Sequence, residues 1–228
     1  MKILGFHKLS LVDYPRELCS VIFTSGCNFR CPYCHNKNIV NQTGDFFNEE
    51  EVKKVLLSRK KYISNICISG GEPTLQKDLV GFIQSYKEQG FNIKLDTNGS
   101  NPKVLKDLLN KNYLDYVAMD VKTDINQYDK IIGEFGYEEQ VLESLKLLKN
   151  SEIDYEFRTT FVKELMSPKS IEGLKQMVRD SKRFVLQSVK LNDEVLSPKV
   201  RMESYSKEEM EKFKGEFTPY VEEIRLNL

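Results

Sequence analysis

The sequence predicts an α/β fold: an open, partial (β/α)6 barrel, with a doubly wound sheet as the other architecture of that class. Three observations lead there. Short apolar, β-branched runs alternate with amphipathic stretches, the pattern of parallel strands joined by helical crossovers. About six such units fit over roughly 200 residues, too few to close an eight-fold barrel. No linker, low-complexity tract or internal repeat divides the 228 residues, so one domain over 1–228 is expected.

Met1 to Phe6 reads as a short edge strand, and Leu9 to Glu17 as an irregular lead-in turning at Asp13-Tyr14-Pro15. Cys19 to Thr24 is a continuous apolar run of buried-strand type. Asn48 and Glu51 are spaced as a capping box, opening a helix with Val52, Val55 and Leu56 on its apolar stripe. Ile66 to Ser69 is the next strand, then a helix from about Leu75 to Glu88, ended by Gly90. Phe91 to Asp96 is a strand, and Pro102 starts a helix through Leu109. Tyr116 to Val121 follows as a strand, with helical material from Asn126 to Leu148 broken near Gly133 and Gly136. Tyr155 to Val162 is a strand, and Ser167-Pro168 caps a helix carrying Ile171, Leu174, Met177 and Val178. Phe184 to Val189 is a sixth strand, Ser206 with Glu209 caps a last helix, and Val221 to Leu226 closes the series.

Lys plus Arg equals Asp plus Glu at 34 each, so no net field argues for nucleic acid or an anionic membrane. No apolar run approaches the ~20 residues of a spanning helix. Met1 to His7 lacks the long apolar region of a secretory signal. Five cysteines, three of them crowded in one loop, suit a reducing compartment, and a cytoplasmic protein is expected.

The loop after the first buried strand carries the chemistry. Cys27, Cys31 and Cys34 are separated by three and then two residues, close enough to turn three thiolates toward one metal or iron–sulfur centre. Three cysteines cannot pair off as disulfides among themselves. They are also one ligand short of a closed structural zinc site or an ordinary cubane, which implies an iron left open for something else. Cys19 and Cys67 sit inside apolar strands and read as small buried hydrophobes. His35, directly after Cys34, suits hydrogen bonding around a metal better than ligation.

In an α/β fold of this kind the chemistry belongs at the strand C-terminal ends. The second strand ends in Gly70-Gly71-Glu72-Pro73, whose glycines let a ligand approach and leave backbone groups to bond it. An ordinary strand-to-helix turn would look the same; the cysteine loop one strand earlier tips the balance. The third ends in Lys94-Leu95-Asp96-Thr97-Asn98-Gly99 and the fourth in Asp120-Val121-Lys122. With period two, Lys94 shares a face with Asp96, and Asp120 with Lys122. In the fifth strand Arg158 lies opposite an aromatic face, as a structural charge and a ligand contact both would.

The cysteine spacing, with Tyr33 just before the third cysteine, resembles the radical S-adenosylmethionine (SAM) superfamily, and Gly70 to Pro73 match its Gly-Gly-Glu-Pro motif. The resemblance implies a [4Fe–4S] cluster on Cys27, Cys31 and Cys34, with SAM filling the open iron position. It further implies Gly70, Gly71, Glu72 and Pro73 at SAM's amino group and Tyr33 by its adenine. The segments Asp96-Thr97-Asn98-Gly99 and Asp120-Val121-Lys122 are similar to those of glycyl-radical activating enzymes. By that similarity Asp96, Thr97 and Asp120 hold a monovalent cation beside SAM, while Asn98 and Lys122 lie by SAM and the substrate glycine. Leu9 to Pro15, Val21 to Thr24 and Gly26 to Asn36 resemble the opening of anaerobic ribonucleoside-triphosphate reductase activating proteins. Arg16 departs from them, replacing a usual glycine, as does Ser188-Val189-Lys190, where a Pro-Phe-type segment follows the residue matching Gln187.

The function so implied is an activase. Reduced by a donor such as flavodoxin or ferredoxin, it cleaves SAM to methionine and a 5′-deoxyadenosyl radical, which takes hydrogen from a glycine of a partner enzyme. The implied partner is the catalytic subunit of anaerobic ribonucleotide reductase, with a pyruvate formate-lyase type enzyme as alternative. Two other readings stand beside it: radical chemistry on a small molecule, and a structural zinc or redox module with Cys67 or His35 as fourth ligand. The last leaves the Gly-Gly-Glu-Pro and both aspartate-bearing strand ends unexplained.

Overall fold

In a computed structural model, residues 1–191, 195–197 and 200–228 are described. In chain order the elements are β1 (Ile3–Ser10), β2 (Cys19–Thr24), α1 (Lys37–Asn41), α2 (Glu49–Arg59), β3 (Asn65–Gly70), α3 (Leu79–Lys87) and β4 (Asn92–Thr97). There follow α4 (Pro102–Asn110), β5 (Tyr116–Asp120), α5 (Tyr128–Ile132), α6 (Glu138–Lys149), β6 (Asp154–Phe161), α7 (Pro168–Val178), β7 (Ser181–Ser188), α8 (Lys207–Phe217) and β8 (Val221–Asn227). The eight strands form a sheet in sequence order. This is the α/β class that the strand–helix alternation predicts. The chain divides into two compact units, the first of Met1–Asn28, Asn38–Thr97 and Asn101–Val117, the second of Phe29–Lys37, Asn98–Ser100 and Ala118–Leu228.

In the first unit β2, β3 and β4 pair in parallel, with Cys67 opposite both Val21 and Lys94. Val21, Ile22, Ile66, Ile68, Ile93 and Leu95 are fully buried, as expected of strands covered on both faces. Val52 and Leu56 of α2, Ile83 and Tyr86 of α3, and Leu105 and Leu108 of α4 supply buried helix faces. Each such side chain contributes about 1.5–3 kcal/mol by leaving water. The Asn48 side chain accepts from the amides of Glu50 and Glu51, fixing the start of α2 as its sequence predicts.

β1 runs antiparallel to β2 and slips register twice, between Ile3 and Gly5 and between His7 and Ser10. Phe47 bridges to Ile3 on its other side. Arg16, standing where the resembling proteins carry glycine, has φ of 64°. The left-handed turn is therefore kept although the glycine is gone.

In the second unit β6, β7 and β8 pair in parallel, extending the alternation to a closing strand. Phe161, Phe184 and Phe217 pack together, with ring centroids 5.1 Å apart between Phe184 and Phe217. A complete capping box on Ser206 and Glu209 starts α8. Among the described residues no helix is long and apolar enough to cross a membrane.

Candidate active site

The end of β3 is shaped by the protein's own backbone. Gly70 has φ of 120°, and a Cβ there would lie 2.4 Å from the Thr24 amide nitrogen and carbonyl oxygen. A Cβ on Gly71 would sit 1.9 Å from the Gly26 carbonyl oxygen. The glycines thus let β3 close onto the start of the cysteine loop. The Gly71 and Glu72 amides donate to the carbonyls of Thr24 (3.0 Å) and Gly26 (2.9 Å). That corrects the expectation that these N–H groups are left for a ligand. Glu72 is fully buried, and its Oε1 accepts from the Thr74 amide (3.1 Å) and the hydroxyls of Thr74 (2.5 Å) and Thr97 (2.8 Å). Donors this numerous hold a carboxylate in one rotamer. Thr74, which sequence reading passed over, is as much part of the motif as Pro73.

At the end of β4, Lys94 is only 2% exposed. Its ammonium bonds Asp96 Oδ1 and lies 3.6 Å from the Cys67 sulfur. The other Asp96 oxygen accepts from Ser69 Oγ at 3.0 Å. The shared face predicted for Lys94 and Asp96 is thus an ion pair within one strand.

The second unit holds the Asn98 turn and the Asp120 cluster. Asn98 Oδ1 accepts from the Ser100 amide at 2.9 Å, which fixes the turn. Gly99 has φ of 76°, and a Cβ there would meet Met119 Cε at 2.1 Å. Asp120 accepts from Lys122 Nζ (2.8 Å) on one oxygen and from Arg158 Nε (2.9 Å) on the other. Burial by itself would raise the Asp120 carboxyl, but Arg158 and Lys122 outweigh it and hold the group well below the usual carboxylate range. Burial likewise opposes the Lys122 ammonium, yet Asp120 raises it well above its ordinary value. Arg158, left open between a structural charge and a ligand contact, has a structural partner.

Because the folded pKa of Asp120 is depressed, its contribution is complete above the ordinary carboxylate value of about 4 and is lost as pH falls toward the folded value. Asp120→Asn should remove that part of the acid sensitivity and destabilise the protein at neutral pH. We expect about 2–3 kcal/mol, less than for a fully buried pair, because the Asp120 side chain keeps 26% of its surface exposed. Urea unfolding at pH 7 and near pH 2 measures both; equal losses at the two pH values would refute the linkage.

The cysteine loop is anchored at both ends. In the first unit, which includes Cys27, the Gly26 amide donates to the Ile39 carbonyl (2.8 Å) and Ser25 to Lys2 (3.0 Å). In the second, the Arg30 amide donates to Ile132 (2.6 Å), and the amides of Leu196 and Ser197 donate to the carbonyls of Cys34 (2.8 Å) and Pro32 (3.0 Å). Phe29 packs edge-on against Tyr137 at 5.3 Å. α1, too short for its periodicity to show in sequence, supplies the Ile39 carbonyl.

All five cysteines are free thiols. Among the described residues no three His, Cys, Asp or Glu side chains gather as a metal site. Cys31 is buried, and desolvation pushes its thiol up to about 11. Tyr33 is buried too, and its hydroxyl has no hydrogen-bond partner among the described residues. Burial raises that phenol well above its ordinary value, so it stays a neutral donor. The loop's thiols are of the soft class that an iron–sulfur cluster takes, and Tyr33, two residues from Cys31, keeps a buried donor without a partner among the described residues.

The Radical SAM superfamily profile matches residues 21–166. A protein of Methanocaldococcus jannaschii that bears the provisional name glycyl-radical enzyme activating enzyme is 38% identical over 194 residues, covering 83% of this chain and 80% of that one. The pyruvate formate-lyase-activating enzyme of Clostridium pasteurianum is 34% identical over 139 residues, 58% of this chain and 57% of its own length. Streptococcus suis SuiB, solved with its precursor peptide SuiA, superposes with a TM-score of 0.70 at 17% identity. That likeness, one of fold, covers 90% of this chain and about half (48%) of SuiB. The chain belongs to the radical SAM superfamily and, within it, to the glycyl-radical enzyme activating enzymes. It is an enzyme whose cofactors are a [4Fe–4S] cluster and SAM.

Proposed function

We propose that this chain generates the glycyl radical of anaerobic ribonucleoside-triphosphate reductase, with reduced flavodoxin or ferredoxin as electron donor. The observation that carries the reading is the succession of motifs at β2, β3, β4 and β5, in a chain whose opening from Leu9 to Asn36 resembles activases of that reductase. Cys27, Cys31 and Cys34 hold the cluster. When bound there, the cluster would supply one-electron reduction to SAM, the chemistry needed to remove hydrogen from the partner's glycine.

The side chains bind and orient. Glu72, fixed by Thr74 and Thr97, presents a charged acceptor for SAM's amino group. Tyr33 offers its hydroxyl, unpartnered among the described residues, on the adenine side. Gly70, Gly71 and Pro73 set the backbone on which Glu72 stands, and Asp96 and Asp120 keep the bordering cations in place. Asn98 and Lys122 stand by SAM and the incoming glycine loop, with Arg158 holding Asp120 when Lys122 is engaged elsewhere.

The test is electron paramagnetic resonance. Reduced holoenzyme, SAM and the cognate anaerobic reductase should give a doublet, split by the remaining glycine α-hydrogen. α-Deuterated glycine in the reductase should collapse the splitting. Lys122→Ala should cut the radical yield on the order of tenfold to a hundredfold while cluster content holds, because Asp120 keeps Arg158 as partner. Rapid SAM turnover with a small molecule, and no doublet with any glycyl-radical enzyme, would refute the assignment.

A further inference from the structure

The resemblance implies a monovalent cation held by Asp96, Thr97 and Asp120. Each of these groups already has a protein partner. Asp96 bonds the Lys94 ammonium through Oδ1 and Ser69 through Oδ2. The Thr97 hydroxyl donates to Glu72 Oε1 at 2.8 Å. Asp120 has Lys122 on one oxygen and Arg158 on the other. Asp96 is thus matched by one basic side chain within the first unit and Asp120 by two within the second, so each carboxylate's charge is already compensated inside its own unit. The residues do not fit the extra ion.

We propose that Lys94 is a built-in replacement for that cation, a positioning residue whose ammonium sets Asp96 permanently and makes SAM binding independent of alkali metal. Three features support this. Lys94 is 2% exposed, so its charge is not on the strand by default of solvation; a buried ammonium is retained only where a counter-charge holds it. Its partner is two residues away on the same strand, so the pair forms as β4 forms. The pair is also braced from β3, where Ser69 holds the far oxygen of Asp96 and Cys67 lies beside the ammonium. A lysine tethered in this way is present at full occupancy at any salt concentration, whereas a dissolved ion must be recruited and dehydrated.

The inference rests on SAM being the ligand of this region. The test is equilibrium dialysis of labelled SAM against holoenzyme in choline, sodium and potassium chloride at equal ionic strength. The unaltered protein should bind SAM within about twofold across the three salts, a difference below 0.5 kcal/mol by the logarithmic relation of affinity to free energy. Lys94→Gln, which leaves Asp96 without its ammonium, should bind weakly in choline and recover about tenfold in potassium or sodium. Tightening of fivefold or more by an alkali ion in the unaltered protein would overturn the proposal, whether or not Lys94→Gln folds; so would a folded Lys94→Gln indifferent to salt. Failure to bind SAM in every buffer would sink the SAM-site reading along with it, and is distinguishable from an alkali requirement, which overturns the built-in cation alone.

Discussion

Cys31→Ser should abolish the cluster. Anaerobically reconstituted protein is expected to hold about four irons per chain and to show the brown absorbance of thiolate-to-iron charge transfer. Cys31 is buried and is the middle of the three loop cysteines in sequence; on the proposed ligation a hydroxyl there leaves two thiolates for the cluster. Cys67→Ser is the matched control. That side chain is fully buried in β3 with Lys94 Nζ at 3.6 Å, and a serine oxygen accepts from an ammonium at least as well as a thiol does. Iron content should therefore survive in Cys67→Ser and fall to background in Cys31→Ser. Stoichiometric zinc without iron uptake, or iron loss in Cys67→Ser, would instead favour a closed metal site with Cys67 as a ligand.

Gly71→Ala should damage the fold itself. The new Cβ would fall 1.9 Å from the Gly26 carbonyl oxygen and 2.5 Å from its carbon, and neither is the yielding end of a side chain. Relief requires parting β3 from the start of the cysteine loop, with loss of the Glu72 amide bond to Gly26. A cost of at least ~3 kcal/mol follows, equivalent to a melting temperature lower by roughly 6–12 °C in a chain of this size. Gly81→Ala in α3 meets nothing within 4 Å and lies in a helix, so it should be neutral or stabilising by up to ~1 kcal/mol. Thermal melts of the metal-free proteins compare the two. If they melt alike, the backbone approach is not as close as drawn.

How much was legible in sequence depended on how local the cause was. Cys19 to Thr24 shows its bounds directly, because β-branched apolar content needs no partner to be recognised. Asn48 and Ser206 announce their helices through caps lying within three residues. The helix expected from Leu75 begins at Leu79, because Pro73–Leu75 forms a 3-10 turn with Thr74 bonded to Glu72. That turn is shared with Thr97 from the next strand, a partner 25 residues away that no local pattern reveals. Period-two alternation put Lys94 and Asp96 on one face, yet alternation is silent on whether a face is wet; burial came from neighbouring strands. The glycines of the Gly-Gly-Glu-Pro motif were visible, but their reason was not. Ligand approach and backbone approach leave the same mark in sequence, and only the position of Gly26 tells them apart.

The antiparallel strand β1 bears on how separate copies of the protein behave toward one another. A bare strand edge is a template on which another chain can add a strand. Without β1, that edge would be β2, the strand leading directly into the cysteine loop. β1 takes the outer position and is poorly suited to templating: its register slips twice, and Phe47 bridges Ile3 on its outer side. His7, Lys8 and Leu9 are exposed, two of them polar, which hinders further pairing. A newly made chain awaiting its iron is thereby guarded against intermolecular strand exchange at the place where its thiols are most crowded. A chain lacking β1 would keep every cysteine and every strand-end motif, and its first defect would be oligomers joined along β2.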